Sequence, residues 1–141
     1  MKNIIAIYAR TFGNAETSAI GHGIEAQLRR LRAAAQHDPQ NHHNTVDPMI
    51  VEYVDEDHVW EGLNRPALKR LLADCQADSV NQLIVTRIDR LSRRIGDIQL
   101  IMEVCEQHGV TVRLLDERLD SSTPVGRAMF QMVKVMAEVY Q

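Results

Sequence analysis

The segment whose side chains are best suited to carry out chemistry runs from Ile84 to Arg94 and reads IVTRIDRLSRR. It begins as an apolar stretch typical of a buried strand and ends in clustered guanidinium groups. If a helix begins near Asp89, Arg90 and Arg93 lie three residues apart and therefore share one face of it. Two arginines at a strand-to-helix junction would bind a phosphate group. The alternative is a solvated charged turn, because arginine and aspartate usually lie on protein surfaces.

Asp89 has two interpretations within this segment. Its carboxylate could accept hydrogen bonds from the free N–H groups at the start of the helix, or it could hold one arginine in place. A further candidate is Arg10, which follows the apolar run 4–9. Open α/β sheets place ligands at the carboxyl ends of their strands, and Arg10 is predicted to lie at such an end.

The net charge limits how a phosphate could be bound. The 141 residues carry 16 lysines and arginines against 19 aspartates and glutamates, which gives a net charge of −3. A domain that holds nucleic acid by itself is normally basic. Phosphate binding must therefore be local, or it must depend on a further module.

Length and composition indicate one globular domain over residues 1–141, with 45% hydrophobic and 25% charged residues. Cys75 and Cys105 are the only cysteines and form no metal-ligand pattern, which favours a reducing compartment. No apolar run approaches the roughly 18 residues that a membrane span needs, and no signal peptide is evident. We expect a cytoplasmic protein with no membrane partner.

Apolar patterning predicts alternating strands and helices. Strands are expected at 4–9, 49–54, 83–85 and 110–115, and helices at 24–36, from 66 to about 75, from near 89 to 108, and from about 125 to the end; the loops are 11–22, 37–48, 55–64 and 116–124. This order predicts an α/β fold whose central sheet is mostly parallel and carries helices on both faces.

The last helix carries Met129, Met132 and Met136 at helical spacing. Methionine suits an adaptable contact between helices, which would make this stripe a dimer surface. The alternative is an ordinary core face. Because no stop signal precedes the end of the sequence, we expect the helix to continue beyond it or to project to a partner.

Two side-chain clusters could suggest a metal site. The pair His42-His43 has His37 nearby, but no carboxylate or cysteine completes a ligand spacing. The contiguous acids Asp55, Glu56 and Asp57 more often solvate a loop than hold a cation. We expect neither a metal nor any other cofactor.

Five short stretches, in this order, resemble the catalytic domain of the serine site-specific recombinases, the group of resolvases, invertases and large serine integrases. They are IYAR at 7–10, IEAQL at 24–28, NRPAL at 64–68, IDRLSR at 88–93 and PVGR at 124–127. The resemblance covers nearly the whole chain. It implies a resolvase-like fold that ends in a long helix, with the DNA-binding region of such proteins absent from this sequence.

The resemblance also implies a mechanism. In that family a serine hydroxyl attacks a DNA phosphate, which gives a 5′-phosphoserine link and a free 3′-hydroxyl, and a tetramer exchanges the strands without a metal or high-energy cofactor. The transition state concentrates negative charge, which clustered guanidinium groups stabilise. By resemblance this role belongs to Arg10, Arg90 and Arg93, with Arg65 as an outer contributor.

The remaining roles follow from the same resemblance. Asp89 would orient one of the arginines or handle a proton, and Gln27 would be a polar neighbour in the site. Arg94 and Arg127 are the expected DNA contacts. The implied partners are DNA and further copies of the chain, as a homodimer or homotetramer joined through the last helix. Two alternatives stay open, since Arg10 could pair with the acidic loop and Gln27 could be an ordinary surface amide.

The nucleophile is where this chain departs from the family. There, the tyrosine-alanine-arginine run is followed by one variable residue and then the serine; here Thr11 and Phe12 occupy these places. Phenylalanine has no nucleophilic group. Thr11 points to the other face of an extended strand, and Ser18 would need its loop to fold back, so we expect neither to substitute.

Three interpretations of Phe12 are open: a chemically silent natural relative, a form in which serine became phenylalanine, or a recombinase with a rearranged site. The leading hypothesis is a domain for site-specific DNA recombination that cannot cleave as it stands. The second is a DNA-associated assembly module that keeps the phosphate grip. The third is a flavodoxin-like nucleotide-binding module, ranked last because no glycine-rich phosphate fingerprint follows any strand.

Overall fold

The computed structural model describes residues 3–11, 23–37, 47–56 and 63–139. The strands are β1 (Ile4–Arg10), β2 (Met49–Asp55), β3 (Gln82–Val85), β4 (Thr111–Leu114) and β5 (Leu119–Asp120), and the helices are α1 (Ile24–Gln36), α2 (Pro66–Gln76), α3 (Ile95–Gln107) and α4 (Pro124–Val139). Phe12, Ser18 and the His42-His43 pair lie outside the described residues.

The five strands form one sheet in the order β2-β1-β3-β4-β5. The first four are parallel, and β5 runs antiparallel to β4. The predicted α/β fold with a mostly parallel sheet is confirmed. The prediction of a plain loop over 116–124 is wrong at Leu119–Asp120, because a turn with Arg118 at φ 56° returns the chain along β4. A two-residue strand is too short to show a period in the sequence.

Strand β1 lies inside the sheet and is buried on both faces, and its alternate side chains belong to two separate core clusters. Ile5 and Ile7 pack against α1 through Leu28 and Leu31. Ala6, Tyr8 and the matching residues of the neighbouring strands face the larger cluster, which α2, α3 and α4 complete. The predicted helices on both faces are therefore confirmed, with α1 on one face and the other three on the opposite face.

Helix α4 presents two unlike faces. Gly126, Phe130 and Ala137 are its buried residues, whereas Met129, Met132 and Met136 are 41%, 56% and 43% exposed. The interpretation of the methionine stripe as an ordinary core face is therefore wrong, since Phe130 and Ala137 fill that place. No helix in the described part of the chain is both long and apolar enough to span a membrane.

Gly126 fits only because it has no side chain. A Cβ built at this position overlaps the carbonyl oxygen of Asp120 and lies 3.0 Å from Oγ1 of Thr123. We expect Gly126→Ala to lower the free energy of unfolding by about 1–3 kcal/mol, as other overpacked sites do. Urea denaturation followed by circular dichroism measures this.

The matched control is Gly96→Ala on α3, where a Cβ meets nothing within 4 Å. There the smaller unfolded-state entropy should raise stability by about 0.5 kcal/mol. Equal effects of the two substitutions would contradict the close approach of α4 to the β5 turn.

Candidate active site

The candidate site lies at the carboxyl edge of the parallel sheet. Arg10 is the last residue of β1 and Asp55 the last of β2, and the two are paired in the strand register. Thr86 follows β3 at the same edge and is buried. Residues that end or follow neighbouring parallel strands meet at one edge, so the fold places these three together.

Gln27 of α1 fixes the main chain of Arg10. Its Nε2 donates to the Arg10 carbonyl at 2.9 Å, and its Oε1 accepts the Arg10 N–H at 3.1 Å. The side chain is only 2% exposed, so the interpretation of Gln27 as a surface amide is wrong. Nη1 of Arg90 donates to the same Arg10 carbonyl at 3.0 Å. Gln27 and Arg90, both predicted to belong to the site, thus bind the main chain of Arg10, which is a third predicted site residue.

The segment that carries Arg90 is not the α-helix expected from the sequence. Residues Ile88–Arg90 form a single 3-10 turn, and α3 begins only at Ile95. Arg90 and Arg93 therefore do not share one face of a helix, which corrects the prediction. Arg90 is 1% exposed, whereas Arg93 is exposed to solvent.

Arg65 binds the carbonyl groups at this interruption. Its Nη1 donates to the Arg90 carbonyl at 3.0 Å, and its Nη2 donates to the Leu91 carbonyl. In a continuous α-helix these two carbonyls would accept the N–H groups four residues onward. The N–H of Arg94 instead donates to Oγ of Ser92 at 3.0 Å. The Arg65 side chain, which is distant in sequence, thus binds two carbonyl acceptors that a continuous helix would use.

A buried hydrogen-bond network supports Arg65, which is 0% exposed. Nη1 of Arg65 donates to the Tyr8 hydroxyl at 3.0 Å, and that hydroxyl donates to Oδ2 of Asp55 at 2.7 Å. The Asp55 carboxylate also accepts the N–H groups of Ala67 at 2.9 Å and Leu68 at 3.1 Å, which caps α2. Burial, together with the hydrogen bond to Asp55, raises the pKa of Tyr8 far above its usual value, so Tyr8 stays protonated and keeps donating.

The guanidinium of Arg10 lies in a strongly positive environment. Burial lowers its pKa most, and the nearby charges of Arg65 and Arg93 lower it further. Tyr8 and Asp55 act in the opposite direction. Like charges held this close create a local positive potential that an anion would relieve. Arg93 is exposed and Arg10 is only 7% exposed, whereas Arg65 and Arg90 hold the backbone; a phosphate contact by Arg10 and Arg93 stays a prediction.

Asp89 does not orient the arginines expected from the sequence. Its Oδ1 lies 3.3 Å from Nε of Arg87, and within the described residues that oxygen is buried without a hydrogen-bond partner. The N–H of Ile88, which opens that turn, donates instead to Oε2 of Glu117 at 2.8 Å. A role for Asp89 in proton handling stays a prediction.

The two expected DNA contacts lie apart from each other. Arg94 is exposed, directly ahead of α3 and near the arginine cluster in sequence. Arg127 lines a cavity together with Gly109 and Thr111, where β4 begins. That is the edge of the sheet opposite Arg10, so Arg127 does not join the cluster. Both DNA contacts stay predictions.

Sequence reasoning gave no role to Tyr8 and treated Asp55 only as part of an acidic loop. A signal for Asp55 was available at the start of α2. Arg65 precedes Pro66 at the N-cap position, and an arginine side chain cannot accept the free N–H groups of a helix. An acceptor from elsewhere in the chain was therefore required, and Asp55 supplies it.

Comparison with known proteins identifies the family of this chain. A family model described as the resolvase N-terminal domain matches residues 5–141. The chain belongs to this family. The chain is also 29% identical, over 97% of its length, to a probable DNA-invertase, y4cG, of Sinorhizobium fredii, and 32% identical, over 68% of its length, to the DNA-invertase of Escherichia phage P1.

The fold of this resolvase-family chain also matches a solved structure. The N-terminal catalytic domain of TP901-1 integrase superposes with a TM-score of 0.78 and 25% identity, covering 97% of this chain and 95% of that one. The chain spans only 40% of the length of the Sinorhizobium invertase and 51% of the phage P1 invertase. It therefore corresponds to one part of those proteins.

The network around Arg65 yields a stability prediction. Tyr8→Phe removes the hydroxyl that joins Asp55 to Arg65 and leaves two buried polar groups short of a partner. We expect a loss of about 1–3 kcal/mol in the free energy of unfolding. Chemical denaturation monitored by circular dichroism gives this value.

Tyr53→Phe is the matched control. Its hydroxyl donates to Asp74 at 2.5 Å, but that bond is only partly buried. Solvent can replace it, and the loss should stay near about 1 kcal/mol or below. A larger loss at Tyr53 than at Tyr8 would refute the central place given to the Tyr8 hydroxyl.

Proposed function

We propose that this chain is the strand-exchange domain of a cytoplasmic site-specific DNA recombinase. The invertases that resemble it over most of its length support this assignment. Because its net charge is −3, sequence-specific DNA binding would come from a further region of such a protein. Membership of the resolvase family argues against the flavodoxin-like nucleotide-binding alternative.

One observation carries the proposal: Arg10 and Arg90 meet at one sheet edge, close to the charges of Arg65 and Arg93. Phosphoryl transfer depends on positioning and on positive charge aimed at the oxygens around phosphorus. Arg10 and Arg93 would contact the DNA phosphate, and Arg65 and Arg90 would hold the backbone that presents them. This binding of the DNA phosphate does not require residue 12.

Phe12 prevents DNA cleavage but does not affect phosphate binding by the arginines. Its side chain has no atom that can attack phosphorus, so the chain as it stands binds the backbone phosphate without forming a covalent link. The assembly-module hypothesis predicts the same behaviour for this sequence. The two hypotheses differ only in what happens when a serine is restored at position 12.

We expect Phe12→Ser to produce covalent protein–DNA adducts, because the serine would supply the missing nucleophile to a phosphate that Arg10 and Arg93 contact in this proposal. The protein is joined to a DNA-binding region whose site is known and is incubated with a supercoiled plasmid that carries two such sites. Denaturing gels then show whether DNA-linked protein forms.

The matched controls are the unchanged chain and Phe12→Ala, which shortens the side chain without adding a nucleophile. Adducts from Phe12→Ser alone establish a dormant enzyme. If Phe12→Ser gives none while the fused protein still binds its sites, the assembly role is favoured over recombination. Adducts from Phe12→Ala would show that another residue, such as Thr11 or Ser18, attacks.

We also propose that α4 joins copies of the chain into a homodimer, from which a tetramer assembles. Its exposed apolar residues recur at alternating spacings of four and three: Val125, Met129, Met132, Met136 and Val139. This spacing is that of a helix seam that packs against another helix. A stripe of exposed valine and methionine side chains along one helix marks an interaction surface.

Met132→Glu should weaken this dimer at least about tenfold, since burying an unpaired carboxylate costs more than about 1.4 kcal/mol. Sedimentation velocity over a range of protein concentrations measures the change. Gln131→Glu, at an exposed position of α4 outside the methionine stripe, adds the same charge and should leave the dimer intact. A chain that is monomeric at every concentration would rule out this surface.

A further inference from the structure

A cavity of about 260 Å³ lies between α3, β4 and α4. Its interior is apolar and is formed by the buried side chains of Met102, Cys105, Val112 and Phe130. The first two come from α3, the third from β4 and the last from α4. The cavity lies near the start of β4, at the sheet edge opposite Arg10, so it is separate from the arginine cluster.

The polar residues that line this cavity leave one positive charge without a counter-ion. Lys134 forms an ion pair with Glu106, and these two charges cancel. Arg127 is exposed, and within the described residues its guanidinium forms neither an ion pair nor a hydrogen bond. A guanidinium beside an apolar cavity is suited to a carboxylate, which it can bind through two parallel hydrogen bonds.

Ser121 adds a second donor to the lining. Its Oγ accepts the Val112 N–H at 2.8 Å, which fixes the oxygen. Among the described residues no acceptor takes its hydroxyl proton. The hydroxyl can therefore donate into the cavity. An anion would find a charged donor and a neutral donor in a lining that is otherwise mostly apolar.

We propose that this cavity binds a small monocarboxylate with an aromatic or branched apolar body. An apolar cavity of roughly 150 Å³ holds benzene, so the volume here accommodates one ring and a short acid side chain. The apolar body fills the space between Met102 and Phe130, and the carboxylate meets Arg127. Free phosphate does not fit this chemistry, because it would leave the apolar lining in contact with water.

The probe for the test is 3-phenylpropanoate, added to protein labelled with ¹³C at the methionine methyl groups. The Met102 methyl lies in the cavity lining, whereas Met129, Met132 and Met136 are exposed on the opposite side of α4. We expect a saturable shift of the Met102 signal, assigned by Met102→Leu, while the other three stay unchanged. The neutral 3-phenylpropanamide, matched in shape, should bind about tenfold more weakly because it lacks the charge.

Two variants make the test specific to this site. Arg127→Gln removes the charge from an exposed position and should weaken acid binding about tenfold, bringing it to the level of the amide. Gln131→Trp, also an exposed lining position, should block both probes by filling the mouth. Unfolding curves confirm that each variant is folded.

The proposal is overturned if Met102 shows no saturable shift at millimolar acid, or if acid and amide bind equally well to the unchanged protein. It is also overturned if Arg127→Gln leaves acid binding as it was. A Met102 signal that moves with protein concentration instead of probe would show that a second copy of the chain covers the cavity. None of these outcomes depends on DNA cleavage, so they leave the recombinase proposal to its own test.

Discussion

The buried guanidinium of Arg65 is the interaction on which the candidate site depends. It reaches from the start of α2 to the carbonyls of Arg90 and Leu91, in the segment between β3 and α3 that is not an α-helix. Burying a charge is costly unless its hydrogen bonds and countercharge are provided. Here the Tyr8 hydroxyl connects the Arg65 guanidinium to the Asp55 carboxylate by two hydrogen bonds. The same carboxylate caps α2, so it stabilises both the helix and the arginine.

This arrangement divides the arginines into two kinds. Arg65 and Arg90 donate hydrogen bonds to backbone carbonyls, whereas Arg93 is exposed to solvent at the sheet edge and its charge acts on the buried Arg10. A chain with a net charge of −3 can thereby hold a concentrated positive site. Burial of Arg10 and the repulsion from Arg65 and Arg93 both disfavour its charged form in the folded state, and both lower its pKa.

The elements with a clear period were predictable from sequence alone. Helix α1 was expected at 24–36 and begins and ends there, and Pro66 marked the first residue of α2. The prediction failed after β3, where the pattern of charged and apolar residues is compatible with a helix. No local pattern can show that Arg65, which is distant in sequence, binds the carbonyl groups that such a helix would use as acceptors.

Only part of the residues at this sheet edge could be predicted from the sequence. The family resemblance pointed to Arg10, Arg90 and Arg65, but it missed Tyr8 and Asp55 and could not tell a phosphate contact from a side chain that holds the backbone. Gln27 falls off the Leu28 stripe of α1, so periodicity alone made it a surface residue. Its burial follows from hydrogen bonds to a strand end, which a helical wheel does not represent.

The anchoring of Arg10 has an evolutionary consequence. Its main chain is held by Gln27 and Arg90, and the next N–H, that of Thr11, donates to the Asp55 carbonyl at 3.2 Å. These anchors belong to β2, α1 and the 3-10 turn, so residue 12 is not needed to keep them. A single base substitution interconverts phenylalanine and serine codons. Under the proposed function, loss and recovery of cleavage would therefore take one mutational step, while the scaffold around Arg10 stays in place.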